Sequence, residues 1–316
     1  MNALNIAKIK PVFLVAGILL FFSLWLPPTP VIAKQIDAIA CKARAYDQGK
    51  LWEVRKNGGP KSYIFGTMHS KDPRILQLPG VVMRALNGAS VFILETVLTK
   101  ESIRASEALM RLPSRSSLRQ RIGEDRFQKL LPIIAQYNIP APALDDFKIW
   151  AVASLLARPP VRSTSPQEQI TMLDRELEKL ARNQRKNIFP METAAEQLGL
   201  FDKLSISAQL ELLDQAIKDF SGLSQELEEM SRQYLVGKIG WFFCQMQDSI
   251  KALSPEMQDF MTNKLIIQRN KNMVTRILPK LETQSSFVAV GALHLPGDQG
   301  ILSLLKEQGY SLRRRF

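Results

Sequence analysis

The chain holds two histidines, His69 and His294, and each follows a glycine by three residues: Gly66-Thr67-Met68-His69 and Gly291-Ala292-Leu293-His294. Imidazole moves protons and binds transition metals near neutral pH, so a histidine pair in a shared motif is the first place to look for chemistry. Each motif begins where a short β-rich apolar run ends, Tyr63–Phe65 in one case and Phe287–Val290 in the other. That places both imidazoles just past the C-terminal ends of predicted strands. Gly66 and Gly291 are expected to let the backbone turn there, aiming each ring back over the sheet edge where open α/β sheets bind their ligands. Taken singly, each histidine also fits a satisfied structural role.

Glu95 is the third element, because it ends the apolar run Val91-Phe92-Ile93-Leu94, where a carboxylate is costly without a partner or a metal. Two imidazoles and a carboxylate can hold a divalent Mn, Co or Zn ion and leave positions open for water and substrate. Such an ion supports hydrolysis. Without one, Glu95 is placed to act as general base for water, with a histidine as relay. Arg269 fills the gap in the helical stripe Met261, Leu265, Met273, Ile277, so it needs an acidic partner, a polar pocket or a route to solvent. Asp174 borders the stripe of Ile170, Leu173, Leu177 and Leu180, and Glu192 closes another predicted strand. These three, with Asn270, are candidate supporting or substrate-contacting groups.

The elements that must position these residues read as two strand-turn-helix-strand units, one from Ser62 to Thr96 and one from Ser286 to Arg314. In each, a helix closes at a glycine, Gly88 or Gly309, as a left-handed C-cap would. The fold class is therefore α/β, with a central sheet built by two repeats at the chain ends and a helical insertion between them. Within the insertion, Ser165-Pro166-Gln167-Glu168 and Thr193-Ala194-Ala195-Glu196 are capping boxes, and a short strand is expected over Asn187–Glu192. Ser254-Pro255-Glu256 opens a long helix towards Leu278, and further helices are expected over Glu124–Tyr137, Leu144–Ala157 and Ser207–Tyr234.

Ahead of this domain, Lys8 and Lys10 precede an uncharged run from Val12 to Leu26, followed by Pro27, Pro28, Pro30 and Val31-Ile32-Ala33. Fifteen apolar residues fall short of the roughly 20 that span a bilayer as a helix, so residues 1–33 read as a signal peptide, with an uncleaved anchor as the alternative. Both place residues 34–316, read as one domain, in the periplasm or on the outer face of the cytoplasmic membrane. In such a compartment Cys41 and Cys244 can form a disulfide, or stand as two buried thiols. Cleavage would remove two lysines and lower the formal charge from +12 to +10, so the exported chain stays basic. Outside the cytoplasm that charge concerns solubility, anionic lipid or acidic envelope polymers rather than nucleic acid. Arg313-Arg314-Arg315 reads as a solvated tail. No Cys-x-x-Cys, His-Glu-x-x-His, Gly-x-Ser-x-Gly, P-loop or Gly-x-Gly-x-x-Gly occurs, which removes the common redox, zincin, serine-hydrolase and nucleotide-binding motifs.

With these residues in view, the chain resembles the TraB/GumN family, which includes the PrgY-type pheromone-shutdown proteins and the Tiki metalloproteases. The resemblance is carried by Leu51-Trp52-Glu53-Val54, Tyr63-Ile64-Phe65-Gly66-Thr67-Met68-His69, Asp72-Pro73-Arg74, Leu78-Pro79 and Val91–Glu95. It continues through Leu173-Asp174-Arg175, Met191-Glu192-Thr193, Arg269-Asn270 and Gly291-Ala292-Leu293-His294-Leu295, with Gly297, Gly300 and Gly309-Tyr310. It implies the α/β fold of the wider group that holds the erythromycin-esterase-like and ChaN-like proteins. From the Tiki branch it implies a metal-dependent protease site on His69, His294 and Glu95, acting on a peptide or protein. From the ChaN-like relatives it implies the alternative of a non-catalytic envelope protein that sequesters haem or a peptide signal. Leu293 stands where many members have a small residue, and Gln268 where an acidic residue often precedes Arg-Asn.

Overall fold

The computed structural model describes residues 44–160 and 172–316. The leader 1–33, Cys41, the capping box Ser165–Glu168 and Ile170 lie outside the described residues, so the proposed Cys41–Cys244 pair and the first capping box are not described further.

The fold is mixed α/β, built on a six-stranded sheet: β1 (Leu51–Arg55), β2 (Ser62–Thr67), β3 (Val91–Leu94), β4 (Asn187–Pro190), β5 (Ser286–Gly291) and β6 (Ser311–Arg314). Their order across the sheet is β4-β3-β5-β2-β1-β6. The run β4-β3-β5-β2 is parallel throughout, with Leu94 opposite both Pro190 and Ala289, and Thr67 opposite Gly291. β1 is antiparallel to β2 and β6. Thus β5, from near the end of the chain, is inserted between β2 and β3, from near its start.

Both β3 and β5 are buried along their whole length, as apolar runs covered on both faces must be. Phe287 at the middle of the sheet packs on Phe92 and Phe65 with ring centroids 6.1 and 5.9 Å away. The helix Gly80–Gly88 links β2 to β3 and turns Val82, Ala85 and Leu86 into the core. A second aromatic cluster, Trp150, Phe201 and Phe260, knits the helical part together. Among the described residues no helix is long and apolar enough to cross a membrane.

Several elements differ from the sequence expectation. β1 was not foreseen: Leu51-Trp52-Glu53-Val54-Arg55 is too short for its alternation to stand out. The second strand unit ends in β6, whose partner β1 is two places from β5, whereas β3 lies directly beside β5. β4 spans Asn187–Pro190, two residues shorter than the expected Asn187–Glu192. Gly309 takes the left-handed C-cap conformation, with φ at 85°, but Gly88 stays within its helix and Ala89 caps it. The basic C-terminal cluster is not a solvated tail, because Arg313 and Arg314 belong to β6 and Arg313 Nη2 donates to Glu53 at 2.9 Å.

The capping box at Thr193 is formed: Thr193 Oγ1 accepts from Glu196 N, and the Glu196 carboxylate accepts from Thr193 N. The long helix opened by Ser254 runs as Pro255–Asp259, a π-helical stretch Phe260–Gln268, and Arg269–Thr283. The helix expected over Glu124–Tyr137 spans Glu124–Ala135. That expected over Leu144–Ala157 is Ala141–Leu144 followed by Ile149–Leu156, and Ser207–Tyr234 is two helices broken by a 3-10 turn at Phe220–Gly222. Helices at Lys100–Met110 and Ile239–Ile250 were not foreseen.

The glycines of the two histidine motifs do not have the expected role. Gly66 lies inside β2, Gly291 ends β5 with φ at −52°, and neither has a positive φ. At Gly66 the need is space: an added Cβ would stand 2.7 Å from Leu295 Cδ1 and 3.2 Å from Ala292 Cα, in the turn that carries His294. One motif's glycine therefore makes room for the other motif's turn. Gly66→Ala is expected to lower stability by about 1–3 kcal/mol through overpacking; a urea midpoint equal to wild type would show that the turn gives way freely.

Candidate active site

Parallel strands bring their C-terminal ends to one edge, and four of the predicted residues follow four adjacent strands there. In sheet order they are Glu192 after β4, Glu95 after β3, His294 after β5 and His69 after β2. The ladder continues past β3 and β4, with Met191 N donating to Leu94 O and Glu192 N to Glu95 O, both at 2.8 Å. Helices behind this edge supply the remaining groups: Asp174 from Leu173–Asn183, Gln197 from Ala194–Asp202, and Arg269 with Asn270 from Arg269–Thr283. All eight side chains are buried. A surface groove of about 740 Å³ lies elsewhere, between Arg126, Lys129, Asp214 and Lys218.

Asp174 anchors the first histidine. Its Oδ2 is 2.6 Å from His69 Nδ1, and its Oδ1 accepts from Thr67 Oγ1 at 2.7 Å. A carboxylate only accepts, so Nδ1 of His69 carries the hydrogen and Nε2 is left for another partner. Burial works against the charged imidazole, but Asp174 outweighs it and the His69 pKa is raised. Tyr234 supports the same corner by donating to Gly66 O at 2.8 Å.

Asn270 anchors the second. Its Nδ2 donates to Gln299 O at 2.7 Å, so its Oδ1 must be the atom that accepts from His294 Nδ1 at 2.6 Å. His294 thus also presents Nε2, to which Arg269 Nη1 donates at 3.3 Å. Burial first, and then the neighbouring guanidinium, press the His294 pKa down to about 3, so the ring is neutral at physiological pH.

Arg269 is the hub. It is 4% exposed, and its Nη2 donates to Glu95 Oε2 at 2.8 Å and to Glu192 Oε2 at 2.7 Å, while Nε meets both Glu192 oxygens at 3.2 and 3.0 Å. Burial would neutralise the guanidinium, but the two glutamates more than restore it and its pKa is raised. Glu95 is fully engaged: Oε1 accepts from Gly291 N at 2.7 Å, and Oε2 accepts from Arg269 and from Gln197 Nε2. Burial alone would raise the Glu95 pKa, but Arg269 leads the groups that hold it down at about 2.

The seven candidate chemical groups lie at one sheet edge in two hydrogen-bonded sets, His69 with Asp174, and His294 with Asn270, Arg269, Glu95 and Glu192, with the Glu95 charge acting on His69 across the gap. Gln197 and Thr67 were missed. Gln197 Nε2 bridges Glu95 and Glu192 at 3.2 and 3.0 Å, while its Oε1 is buried without a partner. The available signal was its place among Ala194, Leu198 and Phe201 on the buried face of its helix. Arg175, beside Asp174, also leaves Nε and Nη2 buried and unpaired.

The sequence profile of the TraB/PrgY/gumN family matches residues 50–314, a span that takes in every strand and every residue of this cluster. The chain belongs to the TraB/PrgY/gumN family. Curated relatives of this TraB/PrgY/gumN chain carry the name metalloprotease. A TIKI homolog of Nematostella vectensis is 23% identical over 83% of this chain and 66% of its own length. TIKI2 of Danio rerio is 22% identical over 83% of this chain and 60% of its own, and human TIKI1 is 22% identical over 83% and 61%. The chain therefore spans about 60 to 66% of the length of these relatives.

The depressed Glu95 pKa sets a pH dependence. Its contribution to stability is complete above the ordinary value of 4.5 and is lost as pH falls through about 2. That contribution is roughly 3 kcal/mol by proton linkage. In urea unfolding, the stability gap between wild type and Glu95→Gln is expected to be constant from pH 7 to about 5 and to narrow below; a gap that ignores pH would show that Glu95 is not ionised in the fold.

Proposed function

We propose that this chain is an exported, metalloprotease-like hydrolase of the cell envelope that cleaves peptide bonds at the His69–His294–Glu95 cluster. The observation that carries the reading is the matched orientation of the two imidazoles. Each sits at the end of one of two neighbouring parallel strands, and each has Nδ1 tied to an acceptor on a helix, which leaves Nε2 as the atom that can meet a ligand. The two motif-bearing strand units are taken here as one repeated design, with residues 34–316 as the exported domain.

The donor set fits a divalent cation on chemical grounds. Glu95 and Glu192 share one guanidinium, so one of these two buried negative charges stays uncompensated, while Asp174 pairs with His69; the excess negative charge favours a bound cation. The Asp174–His69 and Asn270–His294 contacts are the kind of outer hydrogen bonds that fix metal-binding histidines in tautomer and direction. Among the described residues no three His, Cys, Asp or Glu side chains are grouped to hold a metal ion, and Arg269 occupies Glu95 Oε2. His69 and His294 are therefore the ligands proposed here, and Glu95 is either a third ligand or the base.

When bound, the ion would acidify a water and polarise the scissile carbonyl. The protein's own groups do the rest: Asp174 and Asn270 aim the imidazoles, while Gly291 N–H, Gln197 and Arg269 keep Glu95 ionised and fixed. Mn, Co and Zn all suit such nitrogen and oxygen donors. The saturated state of Glu95 favours one other reading, a protein that sequesters a peptide or haem at this edge without turnover.

His69→Ala and His294→Ala, checked for fold by circular dichroism, are expected to lower hydrolysis of a peptide library by roughly a hundredfold or more. Full turnover in either variant would refute the hydrolase reading, and saturable binding with no product in wild type would favour sequestration. Asp174→Asn is expected to weaken metal binding roughly 10- to 100-fold, read by calorimetry.

A further inference from the structure

The grip of Arg269 on its two glutamates is unequal. Glu192 receives three contacts, from Nε at 3.2 and 3.0 Å and from Nη2 at 2.7 Å, in a side-on geometry that uses both of its oxygens. Glu95 receives one, from Nη2 at 2.8 Å. The Glu95 carboxylate also has a second support of its own, Gly291 N–H on Oε1, which does not involve the arginine. Arg269 can therefore let go of Glu95 and stay on Glu192, whereas the reverse would break most of its bonds.

The same guanidinium reaches His294 Nε2 through Nη1, so one cation occupies lone pairs on two of the three groups that would bind a metal. Two cations cannot share those atoms. Arg269 also donates to Leu265 O at 3.3 Å, inside the π-helical stretch that leads up to it. π-helical turns are rare and cluster at functional sites, and this one places the first residue of the following helix against both glutamates.

We propose that Arg269 is a latch on the metal site: it holds Glu95 and His294 Nε2 as a resident counter-cation, and a divalent ion gains Glu95 as a ligand only when Arg269 withdraws onto Glu192. This rests on the metal reading above and adds to it. Metal affinity is then set by the strength of the Arg269–Glu95 contact, with Glu192 as the dock that receives the arginine. Gln197, which touches both carboxylates, keeps them side by side in either arrangement.

Zinc and manganese binding, measured by calorimetry and by thermal shift on the full protein, tests the latch. Arg269→Gln removes the competing cation, and the double variant Glu192→Gln/Arg269→Gln removes it with no change in the net charge of the site. Both are expected to bind the ions at least about tenfold more tightly than wild type, because a like charge is gone from contact distance. If either variant is unfolded without metal, refolding on metal addition is the expected result, since the ion takes over the role of the guanidinium. Equal or weaker binding in the folded double variant, or failure to refold with metal, overturns the latch. Binding by wild type that disappears in His69→Ala/His294→Ala would then leave the metal reading standing; no binding by wild type or variants would sink both.

Discussion

A guanidinium and two carboxylates buried together at the end of a parallel sheet form the contact on which the rest of this molecule depends. Taking one such charge out of water costs several kcal/mol, and the cost is offset only if every partner is in place. The partners here come from the ends of β3 and β4 and from a helix more than seventy residues further on. The sheet has to be complete before Arg269 is satisfied. The sheet, in turn, needs something to absorb Glu95 and Glu192 at ends that apolar packing alone would leave charged. Site and core are therefore one structural problem, and a defect in either should be felt in the other.

The strand order explains why the site has the composition it does. Only strands running in the same direction deliver their C-terminal ends to one edge, and each of the four adjacent parallel strands β4-β3-β5-β2 is followed by one acidic or imidazole side chain. The two antiparallel contacts, β1 with β2 and β1 with β6, lie away from the site and complete the sheet without adding to its chemistry. Helices then contribute at the level of orientation. Asp174 and Asn270 are each the second residue of a helix or helical segment, where backbone and side chain are both fixed by the turn. Leu173 N, one residue earlier, donates to Ser70 O, so the His69 loop and the Asp174 helix are tied twice.

Much of the site was legible because charges in apolar patterns need partners. Glu95 stood out at the end of Val91–Leu94, Arg269 as a gap in an apolar stripe and Asp174 at the border of another, and each proved to be buried and paired. Gln197 escaped the same logic, since a neutral amide in a helix stripe raises no comparable cost. β1 was hidden by its brevity, and the split of Ser207–Tyr234 by the helical periodicity that runs up to both sides of its one turn signal, Ser221-Gly222. The role of Gly66 was misread for a deeper reason. The atoms that exclude a side chain there belong to Ala292 and Leu295, more than two hundred residues away, and local sequence holds no record of them.

That long-range packing also separates this site from one assembled on a single loop. Gly66 makes room for the turn bearing His294, Gly291 N–H holds the glutamate that follows β3, and Arg269 joins that glutamate to the one that follows β4. Residues of the cluster are therefore positioned by elements other than their own. A cluster wired in this way can keep opposing charges at fixed separation without water, which is the condition under which a carboxylate near pKa 2 and an imidazole near pKa 3 can coexist a few bonds apart. Depressed together, they leave an anionic oxygen and a neutral nitrogen lone pair at physiological pH, both of them electron-pair donors.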